Sequence, residues 1–274
     1  MFLITGATGN VGGEVVRALL EQNAPVRALV RRPDADLPDG AEPAVGDLDE
    51  PDGLVDAFKG VWAVFLLAGY ADMPGLLARA RVAGVRHVVL LTGGSAALPE
   101  SSNAISRYMA RSERAVRDSG LSWTILRPRQ FMSNALRWLP QLQAGDTVRV
   151  SFPAVPVACI DPRDIAAVAA SALAGGHEGR VYELTGPQAL LPAEQVAVLG
   201  RALGRDLRCV GLSDEEARAE MERTTPPQYV DAFFHFYVDG ALDETTVHPD
   251  LGEVIGRPPR TFEQWATAHA PSFR

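Results

Sequence analysis

Three glycines at a spacing of three, Gly6, Gly9 and Gly12, follow the apolar run Phe2, Leu3, Ile4 and precede an amphipathic segment carrying Val11, Val15, Val16, Leu19 and Leu20. A buried strand, a glycine turn and a helix in that order bring bare backbone and a helix N-terminus to one point, where free N–H groups and partial positive charge suit a diphosphate. Gly6 allows the tight turn, Gly9 lets a pyrophosphate approach the backbone, and Gly12 lets the helix lie close on the strand. About 20 residues further on, where an acid would bind a ribose and an arginine a 2′-phosphate, stand Arg31 and Arg32 and no acid. That pair points to NADP(H).

The elements that must position these residues alternate along the chain. Strands are expected over 25–31, 41–46, 61–67, 85–91 and 122–126, with helices over 51–58, 74–83 and 101–119. Gly120 suits the end of the last of these helices. Continuous apolar runs such as 61–67 mark strands buried on both faces. Strand–helix alternation with short glycine-bearing connections indicates an α/β fold, a Rossmann-type doubly wound parallel sheet. Ligands of such sheets lie beyond the carboxyl ends of the strands. Gly6 to Gly12, Arg31, Arg32, Asp47, Gly69 and 92–95 all fall there. Asp161, with Pro162 behind it, is expected to cap a helix ending near 174. Residues about 135–160 and 186–274 are expected to supply most of a smaller C-terminal α/β substrate lobe, with helices near 193–203, 213–223 and 227–239, on one Rossmann-type domain spanning 1–274.

With Thr5, Ala7, Thr8, Asn10 and Val11 around the glycines, the N-terminal stretch resembles the short-chain dehydrogenase/reductase superfamily, and more narrowly its atypical NmrA-like branch. The run Ser119-Gly120-Leu121-Ser122-Trp123-Thr124-Ile125-Leu126-Arg127-Pro128, and then Phe131, Met132 and Asn134, is similar to a stretch recurring in that branch. The resemblance covers most of the chain. It implies that Gly6, Thr8, Gly9, Asn10, Val11, Gly12, Arg31, Arg32, Asp47, Leu48, Ala68, Gly69, Thr92, Gly93 and Pro128 contact the dinucleotide. Asp47 and Leu48 would then approach the adenine, and Pro128 would border the nicotinamide. It further implies that residues 180–185 form a strand returning to the sheet edge, and that the C-terminal lobe caps the nicotinamide.

Typical superfamily members use a tyrosine with a lysine four residues later. Here Tyr108 is followed at that distance by Ser112, Met109 takes the place where related sequences carry lysine or histidine, and the single lysine of the chain, Lys59, closes a different helix. The pair is absent. Arg111 can reach for the ribose or phosphate, but arginine stays protonated and shuttles no proton. Tyr108, Ser95 and His235 are the remaining candidates for polarising or protonating an acceptor. Tyr229, Phe233, Phe236 and Tyr237 share one helix face. Such a face is either core or the wall of an apolar pocket, with Tyr70, Phe131, Met132, Asn134 and Trp138 as the other candidate wall residues.

A net charge of −8 with no basic run argues against nucleic acid, and no apolar stretch approaches the roughly 20 residues needed to span a bilayer. Cys159 and Cys209 lie far apart, and the five histidines are scattered, so neither a disulfide nor a metal site is expected. A cytoplasmic location is expected. Three readings follow. One is an NADP(H)-dependent oxidoreductase passing hydride to a small apolar or aromatic acceptor such as a quinone, enone or imine, since such acceptors need little acid help. The second is a non-catalytic NADP(H)-binding regulator. The third is a reductase scaffold reused for non-redox chemistry. A homodimer or a protein partner stays open.

Overall fold

The computed structural model describes residues 1–273, without the side chains of 51 and 52. Seven strands form a parallel sheet: β1 (Phe2–Ile4), β2 (Val26–Val30), β3 (Glu42–Val45), β4 (Ala63–Leu67), β5 (His87–Leu91), β6 (Ser122–Pro128) and, after a detour through a second sheet, β8 (Arg180–Leu184). The spatial order β3-β2-β1-β4-β5-β6-β8 reverses direction between β1 and β4. That is the topological switch point at which doubly wound sheets bind ligands.

Alternation of side chains along the strands divides the core. Ile4, Ala28, Phe65, Val89 and Leu126 face α1 (Gly12–Glu21) and α6 (Pro162–Ala174). Leu3, Leu29, Val64, Leu66, Val88, Leu90 and Ile125 face α2 (Val55–Phe58), α3 (Met73–Val82) and α4 (Ala104–Asp118). With both faces covered, the central strands read as unbroken apolar runs. The expected helix over 51–58 is a 3-10 turn (Pro51–Leu54) leading into α2. The helix expected from residue 101 begins at Ala104 because Asn103 caps it, its Oδ1 accepting the Ser106 N–H at 2.9 Å.

A second core lies at the carboxyl end of the sheet. A 3-10 segment (Met132–Trp138), α5 (Leu139–Ala144), β7 (Thr147–Val150), α7 (Pro192–Leu203), β9 (Arg208–Gly211) and α11 (Phe262–His269) enclose Trp138, Leu142, Val148, Leu199, Phe262 and Trp265. Strands β7 and β9 pair in parallel with each other alone. An α/β lobe was expected, but neither strand of that small sheet was located. Helices α8 (Asp214–Met221) and α9 (Pro227–Tyr237) follow β9, and α8 opens on a reciprocal cap between Ser213 and Glu216. One C-terminal helix, α10 (Asp250–Ile255), returns to the main sheet, burying Leu251 among α6 and β8. Among the described residues no helix is long and apolar enough to cross a membrane.

Candidate active site

The glycine turn is shaped by its own backbone. Gly6 sits at φ +60, and a side chain there would also run into Leu67, since a Cβ would lie 2.8 Å from Leu67 Cδ1. A Cβ on Gly12 would lie 2.2 Å from the Gly6 carbonyl oxygen, so α1 starts hard against the turn. Thr8, Gly9 and Asn10 are exposed, and Val11, at the N-cap of α1, offers its first N–H groups no side-chain acceptor. A helix start uncapped by the protein and fronted by bare backbone suits an anionic diphosphate. Asn10 Nδ2 donates to Ser133 Oγ at 3.3 Å, tying the turn to the segment after β6. Val11 is itself in the core, so only its backbone is available at the turn.

Beside the turn a cleft of about 520 Å³ is lined by Ala7, Thr8, Gly9, Arg17, Arg31 and Arg32. Arg32 meets Asp34 only at 3.9 Å, with both side chains about four-fifths exposed, so its charge is hardly committed. Arg17, one turn into α1, pairs with Glu14 at 2.7 Å. Sequence reasoning missed it, although its place on the exposed face of the helix after the glycines is a usable signal. Further along the rim, Asp47 Oδ1 accepts the Asp49 N–H at 3.0 Å and Leu48 is buried beneath the sheet edge. Ala68 N–H donates to Leu91 O at 3.1 Å, and Gly69 N–H to Ser112 Oγ at 3.0 Å.

The candidate catalytic residues are placed differently from expectation. Tyr108 lies against Gly69, where a Cβ would be 3.3 Å from its Cδ2, and edge-on to Tyr229 at 6.5 Å. Burial, and then the neighbouring Tyr229, raise the Tyr108 pKa, the opposite of what a lysine partner would do. Ser112, in the lysine's place, donates to Tyr108 O at 2.8 Å while holding Gly69, so that position is spent on fixing the β4 turn. Ser95 does not present its hydroxyl to an acceptor: it is buried and donates to Met109 Sδ at 3.2 Å. Arg111 leaves the site altogether, because Glu100 holds both it and Arg114 at 2.6 Å on the far side of α4. His235 Nδ1 meets Asn103 Nδ2 at 3.1 Å, locking α9 to the cap of α4 rather than facing the cleft. Tyr70, expected near the adenosine as well as against the substrate, is not in the wall of the cavity beyond Pro128; burial, and then Asp49 and Asp47, raise its pKa against Thr5 and Arg31.

Beneath this region runs an ionic network that sequence reasoning did not see. Glu113, 1% exposed, receives Arg127 through two bonds of 2.8 Å, Arg117 at 2.9 Å and the Thr92 hydroxyl at 3.0 Å. Burial alone would raise the Glu113 pKa, but Arg127, Thr92 and Arg117 outweigh it and hold it below the ordinary value. Thr92 is thereby turned inward, away from the cleft. Glu183 continues the network to Arg127 at 3.2 Å and Arg129 at 2.9 Å. The guanidinium of Arg129 lies flat under Gly94, where a Cβ would meet it. These bonds brace the ends of β5, β6 and β8, from which the 93–95 turn and Pro128 project.

From Pro128 the chain enters the wall of a cavity of about 540 Å³, between the sheet and the C-terminal elements. Of the expected wall residues, Phe131, Asn134, Trp138, Phe233 and Tyr237 line it. Met132 is instead core beneath it, and Phe236 and Tyr229 pack with Tyr108 and Ile105 against α4. Gln130, Arg137 and Phe152 are wall residues that sequence reasoning missed. Phe152 is held at φ +53, a conformation strained by about 1 kcal/mol or more for a bulky residue. Its ring lies 5.0 Å from Tyr237 and 5.2 Å from Phe234. Gln130 joins two distant elements, its Nε2 donating to the Tyr237 hydroxyl at 2.8 Å and its backbone N–H to Glu244 at 3.3 Å. Burial, opposed by Arg129, lifts the Glu244 pKa to about 7. Cys159 has its thiol pushed up to about 12 by burial, so it is inert as a nucleophile. Among the described residues no cluster of histidine, cysteine or acidic side chains is placed to hold a metal.

Comparison with known proteins fits this geometry. A family model for NAD(P)H binding matches residues 6–175. The chain is 42% identical to a (4-alkanoyl-5-oxo-2,5-dihydrofuran-3-yl)methyl phosphate reductase of Streptomyces griseus, over all of this chain and 99% of the other. It is 38% identical to an NAD(P)H azoreductase of Xenophilus azovorans, over 100% and 99%. Among solved structures, an NADPH-dependent quinone oxidoreductase from Escherichia coli superposes with a TM-score of 0.79 at 24% identity, covering 98% of this chain and 99% of that one.

Proposed function

This chain belongs to the NAD(P)H-binding family, and from that premise we propose that it is an NADP(H)-dependent oxidoreductase of the NmrA-like, atypical short-chain type, acting on an electron-poor conjugated acceptor. The observation that carries the reading is the pairing of two spaces, one beside the glycine turn and one walled by the segment after β6, which Asn10 and Ser133 tie to that turn. One is edged by Arg17, Arg31 and Arg32. The other is walled by Phe131, Trp138, Phe152, Phe233 and Tyr237, with no acid–base pair beside it. Arginines at the end of β2 favour the 2′-phosphate of NADP(H) over the ribose hydroxyls of NAD(H).

A reduced nicotinamide, when bound, supplies the hydride. An alkene conjugated to a carbonyl accepts it at the β carbon, its π electrons move to the carbonyl oxygen as an enolate, and solvent returns a proton to the α carbon. In balance the acceptor gains one hydride and one proton for each NADPH consumed. A quinone or an azo group takes up the same two equivalents. None of these needs the tyrosine–lysine pair that a simple ketone requires. The side chains then have positioning roles: Asn10 and Ser133 close the turn, the Glu113 network fixes the 93–95 turn and Pro128, and the aromatic wall packs against the apolar part of the acceptor and leaves it open to solvent for protonation. The ring system named for the 42% identical relative is such an alkene, flanked by two carbonyls, and we place a doubly activated alkene first among the acceptors.

The test is consumption of NADPH by purified protein against a panel holding a 2-acyl butenolide, a naphthoquinone and an azo dye. Turnover of at least one, with the butenolide fastest, supports the reading. No turnover in the presence of tightly bound NADPH contradicts it. The occupation of the lysine's place by Ser112 and Met109 favours a second reading, a cofactor-bound regulator, and a partner retained only with one redox form of NADP(H) would mark that outcome.

A further inference from the structure

The acceptor cavity contains two guanidinium groups, and they differ in one respect. Arg149 is neutralised: its Nη2 lies 2.8 Å from Glu220 and 3.7 Å from Glu216. Among the described residues Arg137 pairs with no carboxylate. Its one hydrogen bond runs from Nε to the Asn134 carbonyl at 2.9 Å, which fixes the plane of the group and leaves the two terminal nitrogens uncommitted. The residue is exposed at the edge of the cavity, with Tyr237 and Cys159 as its electrostatic neighbours, and as an arginine it stays charged.

Arg127, Arg129 and Arg260, which are more buried, are coupled to acids: Glu113, Glu183 and Asp161. Arg137 is exposed and uncoupled, and it lies where a ligand has room to sit. The other acid near the cavity floor, Glu244, is turned to the Gln130 N–H and to Arg129. Charged side chains in the cavity lining are therefore two arginines against one glutamate, and that glutamate already belongs to Arg149.

We propose that Arg137 is an anion anchor of the acceptor site, and that the acceptor carries a phosphate or carboxylate group which the free fork of Arg137 receives two-pronged. The proposal rests on the reductase reading for the word acceptor, but the binding site stands on the geometry of Arg137 alone. A guanidinium held in plane by Nε presents its two terminal nitrogens side by side, matching two oxygens of either group. The aromatic wall of Phe131, Trp138 and Phe233 then takes the apolar body of the same molecule. The substrate class follows: an amphiphile with an anionic oxygen group at one end and a conjugated reducible system at the other, in place of a wholly apolar molecule.

The test titrates phenyl phosphate, benzoate and benzyl alcohol into protein saturated with NADP+, so that the arginines beside the glycine turn are already occupied, with Trp138 as the fluorescent reporter. One of the two anions should bind at least 10-fold more tightly than the alcohol. Phenyl phosphate leading assigns a phosphate ester, and benzoate leading assigns a carboxylate. Arg137→Gln should weaken that anion by roughly 10- to 100-fold, leave the alcohol and NADP+ unchanged, and be partly rescued in Arg137→Lys. Unchanged NADP+ binding certifies that the variant is folded. Equal binding of anion and alcohol, or an anion preference that survives Arg137→Gln, overturns the proposal. Failure of the reductase reading looks different: the anion still binds through Arg137, but no acceptor in the panel consumes NADPH.

Discussion

The cofactor end and the acceptor end of the cleft are built on opposite plans. At the glycine turn the working parts are backbone groups: a carbonyl at Gly6 that leaves no room for a side chain on Gly12, and a helix whose first N–H groups lack a side-chain cap. At the acceptor end the working parts are side chains drawn from segments far apart, with Gln130 reaching Tyr237 and Glu244 across more than a hundred residues. The first plan tolerates almost no substitution and shows in a short motif. The second is spread over the chain, so its identity lies in distances that no local pattern records. A single cofactor can thus serve different acceptors while the first plan stays fixed.

The largest effect should come from filling the turn. Gly12→Ala drives a methyl group into the Gly6 carbonyl, and NADPH affinity should fall by roughly 100-fold or more, on the order of 3 kcal/mol. Titration of NADPH alongside circular dichroism distinguishes a folded, cofactor-blind protein from an unfolded one. If binding stays normal, the backbone plan is wrong. Comparable in size is the loss of the acid that braces β5 and β6: Glu113→Ala leaves Arg127 without its buried counter-charge and should cost about 3 kcal/mol in urea unfolding.

Glu244 gives a pH signature to the acceptor end. Its folded pKa of about 7 lies above its ordinary 4.5, so below about pH 4.5 both states hold the proton and no stability is lost. Between there and about pH 7 the unfolded chain sheds it first, and stability falls by up to about 3 kcal/mol as pH rises. Glu244→Gln should flatten that slope and leave the protein more stable at pH 8 than the parent. A parallel slope in both would mean that another group titrates.

At the cofactor end, Arg31→Ala with Arg32→Ala should weaken NADPH by about 10- to 100-fold and barely change NADH, a difference read by the same titration. Smallest of all is Tyr108→Phe. A working proton donor contributes about 10²- to 10⁴-fold to a rate. With its pKa raised and no lysine nearby, Tyr108 should contribute less than about fivefold to reduction of a quinone or conjugated alkene. A loss of 10²-fold would return the acid role to this residue.

The sheet, its order of elements and the glycine turn were legible because each rests on local chemistry: Leu3 and Ile4 buried on opposite faces, glycines where a Cβ cannot fit, Asp161 before Pro162 at a helix start. The parallel pairing of β7 with β9 was not, since four-residue strands pairing across some sixty residues leave no periodic trace. Arg111 and Arg137 show the limit most clearly. Both are arginines on helical segments near the site, and only the position of Glu100 and, among the described residues, the absence of a carboxylate partner beside Arg137 separate a surface ion pair from a free cation at the edge of a cavity. His235 was misplaced for the same reason: type and spacing fix the face a residue occupies, not the neighbour it meets.

The central claim, that this fold passes hydride without a tyrosine–lysine pair, is tested most directly by isotope. NADPH deuterated at the transferable position of the nicotinamide is mixed with the protein and a 2-acyl butenolide, and the product is read by mass spectrometry and NMR. Deuterium at the β carbon, with an unlabelled proton at the α carbon, is the predicted result. Unlabelled acceptor recovered beside intact, protein-bound NADPH would contradict the account and leave a cofactor-binding regulator in its place.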